Sequence, residues 1–110
     1  MLFRSRGHVA YSSKCRWRVN AVIVNSSLVR CVARHNLLSE HPAVCLHIAG
    51  RDHVLISSHL PHVGLSDDIF MGSLVTLSET IAWAPPGSFT HVGVDANVEF
   101  GEAEIGRAHV

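Results

Sequence analysis

The sequence predicts an α/β (α+β) domain in which a mostly antiparallel sheet is covered by one packed helix. Two apolar runs around a polar turn predict a hairpin over residues 43–59, and apolar residues at helical spacing after Ser66 predict a helix. A third apolar run at residues 91–94 predicts a further strand. With 110 residues, 47% of them apolar and 16% charged, the chain is expected to be one globular domain with one core.

Residues 1–18 show no sustained periodicity, and we expect a basic N-terminal extension that is poorly ordered. No acidic residue precedes Glu40, whereas the segment from Asp67 onward contains seven carboxylates and a single basic residue, Arg107. The basic residues before Glu40 are Arg4, Arg6, Lys14, Arg16, Arg18, Arg30 and Arg34. This cationic third could contact a polyanion such as nucleic acid, but dispersed arginines are more often ordinary solvated surface. Its Arg- and Ser-rich start also has the composition of an organelle transit peptide, without clear helical spacing.

The middle of the chain predicts four strands and two turns. "NAVIVNSS" predicts a buried strand closed by a turn at residues 25–27, and a second strand is expected over residues 28–32. In the hairpin, residues 43–48 and 54–56 are the apolar runs, residues 50–52 supply the turn, and the polar residues 57–59 end the second strand. These two strands are expected to be antiparallel neighbours.

The helix is predicted by one apolar stripe with spacings of four, three and four. Its members are Phe70, Leu74, Leu77 and Ile81. Ser66 is the expected N-cap, followed by two aspartates near the positive end of the helix dipole, and residues 85–87 (Pro-Pro-Gly) should end the helix.

The cysteines indicate a reducing compartment. Cys15, Cys31 and Cys45 lie far apart without a C-x-x-C pair, which argues against a zinc knuckle and a disulfide framework. Cys45 is expected to be a small buried hydrophobe. We expect an intracellular protein, nuclear or cytoplasmic, and no uncharged apolar run approaches the about 20 residues of a membrane helix.

Two polar residues, Asp95 and Asn97, follow the last predicted strand, two positions apart. If the extended backbone continues, they project on the same side. A carboxylate can bind a hard divalent cation or orient a water, and an amide can donate to a phosphate oxygen. Asp and Asn are also the commonest turn residues, so an ordinary turn is the alternative.

"SSHLPH" supplies a second polar group at a strand end. His59 could act as a general acid or contact a phosphate. Read as H-x-x-H, His59 and His62 could instead bind a transition metal, although Pro61 prevents a helix from setting their geometry. The remaining histidines show no ligand spacing and need no function, and most of them are expected at surface or strand positions: His8, His35, His41, His47, His53, His91 and His109.

Taken together, these segments resemble the central section of the endonuclease/exonuclease/phosphatase superfamily, most closely the endonuclease domains of non-long-terminal-repeat retrotransposons. In that family a strand runs into a Tyr- or His-containing segment followed by proline, then a helix, then a strand ending in Gly-Asp-x-Asn. Here these elements are "HLP" at residues 59–61 and "GVDAN" at residues 93–97, with Val94 inserted between glycine and aspartate. The resemblance covers residues 19–110.

The resemblance implies a partial four-layered α/β sandwich and hydrolysis of a phosphodiester with Mg²⁺ or Mn²⁺. Asp95 would orient or deprotonate the attacking water and could contribute to metal binding, Asn97 would hold the phosphate, and His59 would contact the phosphate and stabilise developing charge or protonate the leaving oxygen. The enzyme interpretation therefore requires these three residues to meet at one edge of the sheet.

The family also uses an early asparagine, a metal-binding glutamate and a closing Ser-Asp-His-like motif, which have no counterpart here. Glu40 does not substitute, because it lies in a connection. We therefore expect a fragment lacking both terminal motifs, whose complete protein binds DNA and which is itself inactive. The alternative is a small non-catalytic binding module in which residues 95–97 are only a turn.

Overall fold

A computed structural model of the protein describes residues 2–14, 20–61 and 66–95. Its elements, in chain order, are β1 (Leu2–Ser5), β2 (His8–Ser12), β3 (Ala21–Asn25), a 3₁₀ helix (Ser26–Cys31), β4 (Val32–Asn36), β5 (Ala43–Ile48), β6 (Arg51–His59), α1 (Asp67–Ala82) and β7 (Phe89–Asp95). One sheet has the order β1-β2-β3 and the other β4-β5-β6-β7. The β6–β7 pair is parallel, and the other pairs in these sheets are antiparallel. The mixed α and β class is confirmed.

The two sheets pack face to face around one core. β5 contributes Val44 and Leu46 to it, while β2 and β3 contribute alternate residues of the first sheet. The first-sheet members are Val9, Tyr11, Val22 and Val24. Alternation along each strand is what brings these side chains to one face.

The expectation of a poorly ordered N-terminal extension is wrong for residues 2–12. Leu2–Ser5 and His8–Ser12 form an antiparallel hairpin, and the second of these strands also pairs with β3. β1 is exposed along its whole length, and β2 alternates over only two apolar core positions, Val9 and Tyr11. An alternation with only two apolar positions cannot be distinguished in the sequence from an irregular segment.

A second core lies on the opposite face of the four-stranded sheet. Its buried members are Ala43, Cys45, Val54 and Ile56, and Leu77 of α1 packs against them. β5 is therefore covered on both faces, by the other sheet on one side and by the helix on the other. Within the described residues, the order of layers is sheet, sheet, helix.

The strand expected over residues 28–32 is wrong. Residues Ser26–Cys31 form a 3₁₀ helix, and β4 begins at Val32. The Asn25 side chain accepts a hydrogen bond of 2.9 Å from the backbone nitrogen of Ser27. Such local side-chain bonds compete with extension of the backbone, which explains why the apolar residues here do not continue as a strand.

The predicted hairpin is confirmed, with its turn slightly earlier in the chain than expected. Ile48 pairs with Arg51, so the turn consists of Ala49 and Gly50. Both have positive φ, 52° and 75°, as a type I′ turn requires. Arg51 and Asp52, expected in the turn, belong to β6.

The helix is confirmed at both ends, but its buried face is shifted relative to the predicted stripe, of which Phe70, Leu74 and Leu77 are half-buried. Ser66 caps it by accepting from the backbone of Ile69, and α1 ends at Ala82, ahead of the prolines. Ser73 and Thr80 are the buried positions, whereas Ile81 is 40% exposed. Hydrogen bonds to the β4–β5 connection orient the helix, since Thr80 donates to Ser39 over 3.2 Å.

Candidate functional site

The carboxyl ends of β6 and β7 lie side by side. The strands are parallel, α1 connects them, and their register pairs His59 with Asp95. The backbone nitrogen of Leu60 donates to the carbonyl oxygen of Asp95 over 2.9 Å, which extends the pairing past the end of β6. In open α/β sheets, ligands bind outside the carboxyl ends of parallel strands. The two candidate residues therefore lie at an edge where a ligand can be bound.

The side chains of His59 and Asp95 meet on one face of the sheet. Imidazole Nε2 lies 3.6 Å from carboxylate Oδ2, and the side chains are 43% and 70% exposed. The distance exceeds that of a hydrogen bond, and an exposed ion pair of this kind contributes at most about 1 kcal/mol to stability. The pair is therefore accessible to solvent and ligand, and it combines a proton donor with a hard oxygen ligand.

Two of the proposed participants cannot be located at this edge. Asn97 and His62 lie outside the described residues, so the acid and amide pair and the H-x-x-H interpretation stay predictions. Among residues 2–14, 20–61 and 66–95, no group of three or more His, Cys, Asp or Glu side chains is arranged to hold a metal ion. Asp95 is the carboxylate that the structure brings to His59.

Glu40 lies in the connection between β4 and β5, as expected from the sequence. Its carboxylate is 3.7 Å from Nε2 of His41 and its side chain is 22% exposed, while its carbonyl oxygen accepts a hydrogen bond from Asn20. This position in a connection differs from the strand position that the resemblance requires of the metal-binding glutamate.

His41 is the important residue that the sequence did not reveal. It is fully buried, its Nδ1 accepts a 2.9 Å hydrogen bond from the Ser58 hydroxyl, and its Nε2 donates over 3.0 Å to the carbonyl oxygen of Ser73. The carbonyl partner places a proton on Nε2. His41 is an exception to the expectation that most of the remaining histidines occupy surface or strand positions, because buried hydrogen bonds to β6 and α1 satisfy it.

The position of His41 matters for the site because Ser58 immediately precedes His59. Ser58 points to the helix side of the sheet and is 3% exposed, while His59 points to the opposite side. His41 thus joins the end of β6 to α1 from beneath the candidate site. It can hold the backbone of His59 in place without touching a ligand.

Cys45 has no part in this site. It is 1% exposed in the core between the four-stranded sheet and α1. Burial raises the pKa of its thiol, and the nearby carboxylate of Asp52 raises it further. The thiolate form is therefore disfavoured, which confirms the expected small buried hydrophobe rather than a nucleophile.

Two clefts lined by described residues lie away from the His59/Asp95 pair. One cleft lies between the β4–β5 connection and α1, and another lies beside β4. The first is lined by Asn36, Leu38, Ser39, Thr76, Glu79 and Thr80, and the second by Leu2, Lys14, His35, Asn36, Leu37 and Leu38. Neither includes His59 or Asp95.

In the part of the chain that the structure describes, no helix has the length and apolar character needed to cross a membrane. The sequence matches no protein-family model and no curated protein at a significant level.

Proposed function

We propose that the chain is the central part of a divalent-metal-dependent phosphodiesterase domain, of the kind found in retrotransposon DNA endonucleases. The observation that carries the proposal is the His59/Asp95 pair, 3.6 Å apart at the carboxyl ends of two parallel strands. Phosphoryl transfer requires positioning and neutralisation of charge more than covalent chemistry, and these two groups suit both tasks.

In this proposal Asp95 orients or deprotonates the attacking water, and His59 donates to the phosphate or to the leaving oxygen. Mg²⁺ or Mn²⁺, when bound, would neutralise charge on the phosphate. The exposed carboxylate of Asp95 is a hard oxygen ligand of the type these ions prefer, and Mg²⁺ is commonly bound by one or two carboxylates together with substrate phosphates. Asn97 is proposed to hold the same phosphate, on the basis of the resemblance.

The isolated chain is proposed to bind phosphodiesters weakly and to have no measurable nuclease activity. Glutamates of the described region lie away from the required strand position, Glu40 in a connection and Glu79 on α1. With Asp95 as the carboxylate beside His59, Mg²⁺ would be held weakly, and the charge on the transition state would be incompletely neutralised.

Binding of a dinucleoside monophosphate, measured by calorimetry with and without Mg²⁺, tests the site. His59→Gln should weaken binding in both conditions, because the glutamine amide does not place its N–H donor where the imidazole ring donates to the phosphate. Asp95→Asn should strengthen binding without Mg²⁺, because it removes a like charge, and should weaken binding in saturating Mg²⁺, because it removes a metal ligand. This opposite response to Mg²⁺ is specific to a shared metal and phosphate site.

The same sheet supplies a matched control. His47 and Asp52 form another exposed pair, 2.7 Å apart at the hairpin end of β5 and β6. His47→Gln and Asp52→Asn should leave binding unchanged in both conditions. If the His59 and Asp95 variants behave like these controls, the alternative of a non-catalytic module with an ordinary turn is favoured.

Cleavage of supercoiled plasmid tests the incompleteness of the site. Purified chain in Mg²⁺ or Mn²⁺ should leave the plasmid intact. Robust cleavage that EDTA stops and His59→Gln abolishes would show a complete active site and would contradict this part of the proposal.

A further inference from the structure

The face of β6 and β7 that carries His59 and Asp95 is the same face of the sheet that packs against the first core at β5; Leu55 of β6 still packs against that core, and the face becomes exposed at β7. We term this face of β6 and β7 the outer face. It consists of Arg51, His53, Leu55, Ser57 and His59 of β6 and of Phe89, His91, Gly93 and Asp95 of β7. On the other side of these strands, Ile56 and Val92 pack in the second core beneath α1. Every outer-face residue of β7 is exposed, and those of β6 are exposed or half-buried.

One half of the outer face is a cluster of rings. The His53 ring lies 5.3 Å from that of Phe89 and 5.9 Å from that of His91, at interplanar angles of 26° and 11°. The guanidinium of Arg51 lies 5.4 Å from the centre of the Phe89 ring. Exposed aromatic rings next to a cation are the combination with which proteins bind the bases and backbone of single-stranded nucleic acid.

Between these rings and the His59/Asp95 pair the outer face has almost no side chains. Gly93 lies between His91 and Asp95 along β7, and its partner across the strands is the small residue Ser57. At about 3.3 Å per residue, His91 and Asp95 are about 13 Å apart along the strand. Stacked bases of one strand are about 3.4 Å apart, so this gap is long enough to admit a base beside His91.

The backbone conformation does not require a glycine at position 93. Gly93 has no left-handed φ, and a Cβ placed there would meet its nearest neighbour, the carbonyl oxygen of Ile56, at 4.0 Å, which is ordinary contact. A β-branched residue would fit the strand without strain and would even suit it better than glycine. The absence of a side chain at position 93 is therefore compatible with a role in ligand binding rather than in folding.

We propose that the gap above Gly93 and Ser57 binds a nucleotide base, stacked beside His91, so that the substrate of the adjacent His59/Asp95 pair is single-stranded nucleic acid. This inference rests on the proposed function, because the pair is assigned the phosphate next to that base. The face also offers groups that suit a polyanion, since the Arg51 guanidinium supplies a positive charge and the rings of His53 and His91 carry N–H donors.

Fluorescence anisotropy with labelled oligothymidylate tests the inference on the whole chain. Gly93→Val fills the gap and should weaken binding about tenfold, since loss of one base stack is worth about 1–3 kcal/mol. His91→Ala should weaken binding by a similar factor. Thr90→Val, a change on the same strand but on the other side of the sheet, should leave binding unchanged, and circular dichroism should show that all three variants fold.

An abasic oligonucleotide separates base recognition from backbone attraction. It should bind the wild type about as weakly as oligothymidylate binds Gly93→Val, and Gly93→Val should not weaken it further. Equal binding of oligothymidylate by wild type and Gly93→Val, preferred binding of duplex DNA, or no binding at all overturns the inference. Gel filtration showing a dimer that Gly93→Val dissociates, without oligonucleotide binding, also overturns it and assigns the face to a second copy.

The failure of this inference can be told from failure of the proposed function. If Gly93→Val weakens oligothymidylate binding while His59→Gln and Asp95→Asn do not change it, the base site stands and the phosphodiesterase proposal fails. If the opposite pattern is found, the phosphate site stands and the gap binds no base.

Discussion

Replacing His41 by alanine should cost the domain about 3–5 kcal/mol of stability. The ring is 0% exposed, and its removal leaves the buried Ser58 hydroxyl without this partner, while the Ser73 carbonyl oxygen keeps only its bond within α1. Each buried group left unsatisfied costs about 1–3 kcal/mol, and the cavity left by the ring adds to this. Domains of this size are stable by about 5–15 kcal/mol, so the loss is a large part of the total.

Urea unfolding followed by circular dichroism measures this loss. With a slope of about 2 kcal/mol per molar urea, the midpoint should fall by about 2 M. His47→Ala is the control, because His47 is 57% exposed and its pairing with Asp52 is at the surface, so its cost should stay below about 1 kcal/mol. A His41→Ala protein within about 1 kcal/mol of the wild type would refute the reasoning that His41 joins β6 to α1.

Three further predictions concern local features. Ser66→Ala should cost about 1 kcal/mol through loss of the helix cap, whereas Ser78→Ala on the exposed side of α1 should be neutral or slightly stabilising, as thermal unfolding can show. Ala49→Asn should stabilise the hairpin by about 0.5–1 kcal/mol, because asparagine tolerates the positive φ of this turn better than alanine does, and an unchanged urea midpoint would contradict this. Burial raises the pKa of the Cys45 thiol, so the folded state keeps a proton that the unfolded state loses at high pH. The contribution of this thiol to stability is therefore complete below about pH 9.0 and is lost as the pH rises through the folded-state pKa. Cys45→Ala should remove this part of the stability loss at alkaline pH, measured by urea unfolding at several pH values.

The elements that the sequence predicted correctly are those with local signals. The hairpin has two apolar runs and a glycine-containing turn, and α1 has a serine cap at one end and two prolines beyond the other. Such signals depend on residues within a few positions of each other. The N-terminal strands lack such local signals. β1 is exposed throughout and is held in the sheet by its pairing with β2.

The candidate site was predictable only in part, because its geometry depends on distant residues. A helix separates His59 from Asp95, and no local pattern fixes whether their strands are neighbours or parallel. The partners of His41 lie 17 and 32 positions away, in β6 and α1, so no spacing in the sequence could reveal them. The buried face of α1 was predicted only in part for the same reason. Leu77 of the predicted stripe packs against the second core, whereas hydrogen bonds to the β4–β5 connection favour Thr80 over Ile81.

The central claim is that His59 and Asp95 contact one phosphate. Its most direct test is an NMR titration of the chain with a dinucleoside monophosphate in Mg²⁺, following the imidazole signals of His59 and the backbone amide of Asp95. The account predicts that both residues shift with a single dissociation constant and that Asp95→Asn weakens the response at His59. Shifts confined to other residues such as His47 and Asp52, or a His59 response that Asp95→Asn leaves unchanged, would contradict it.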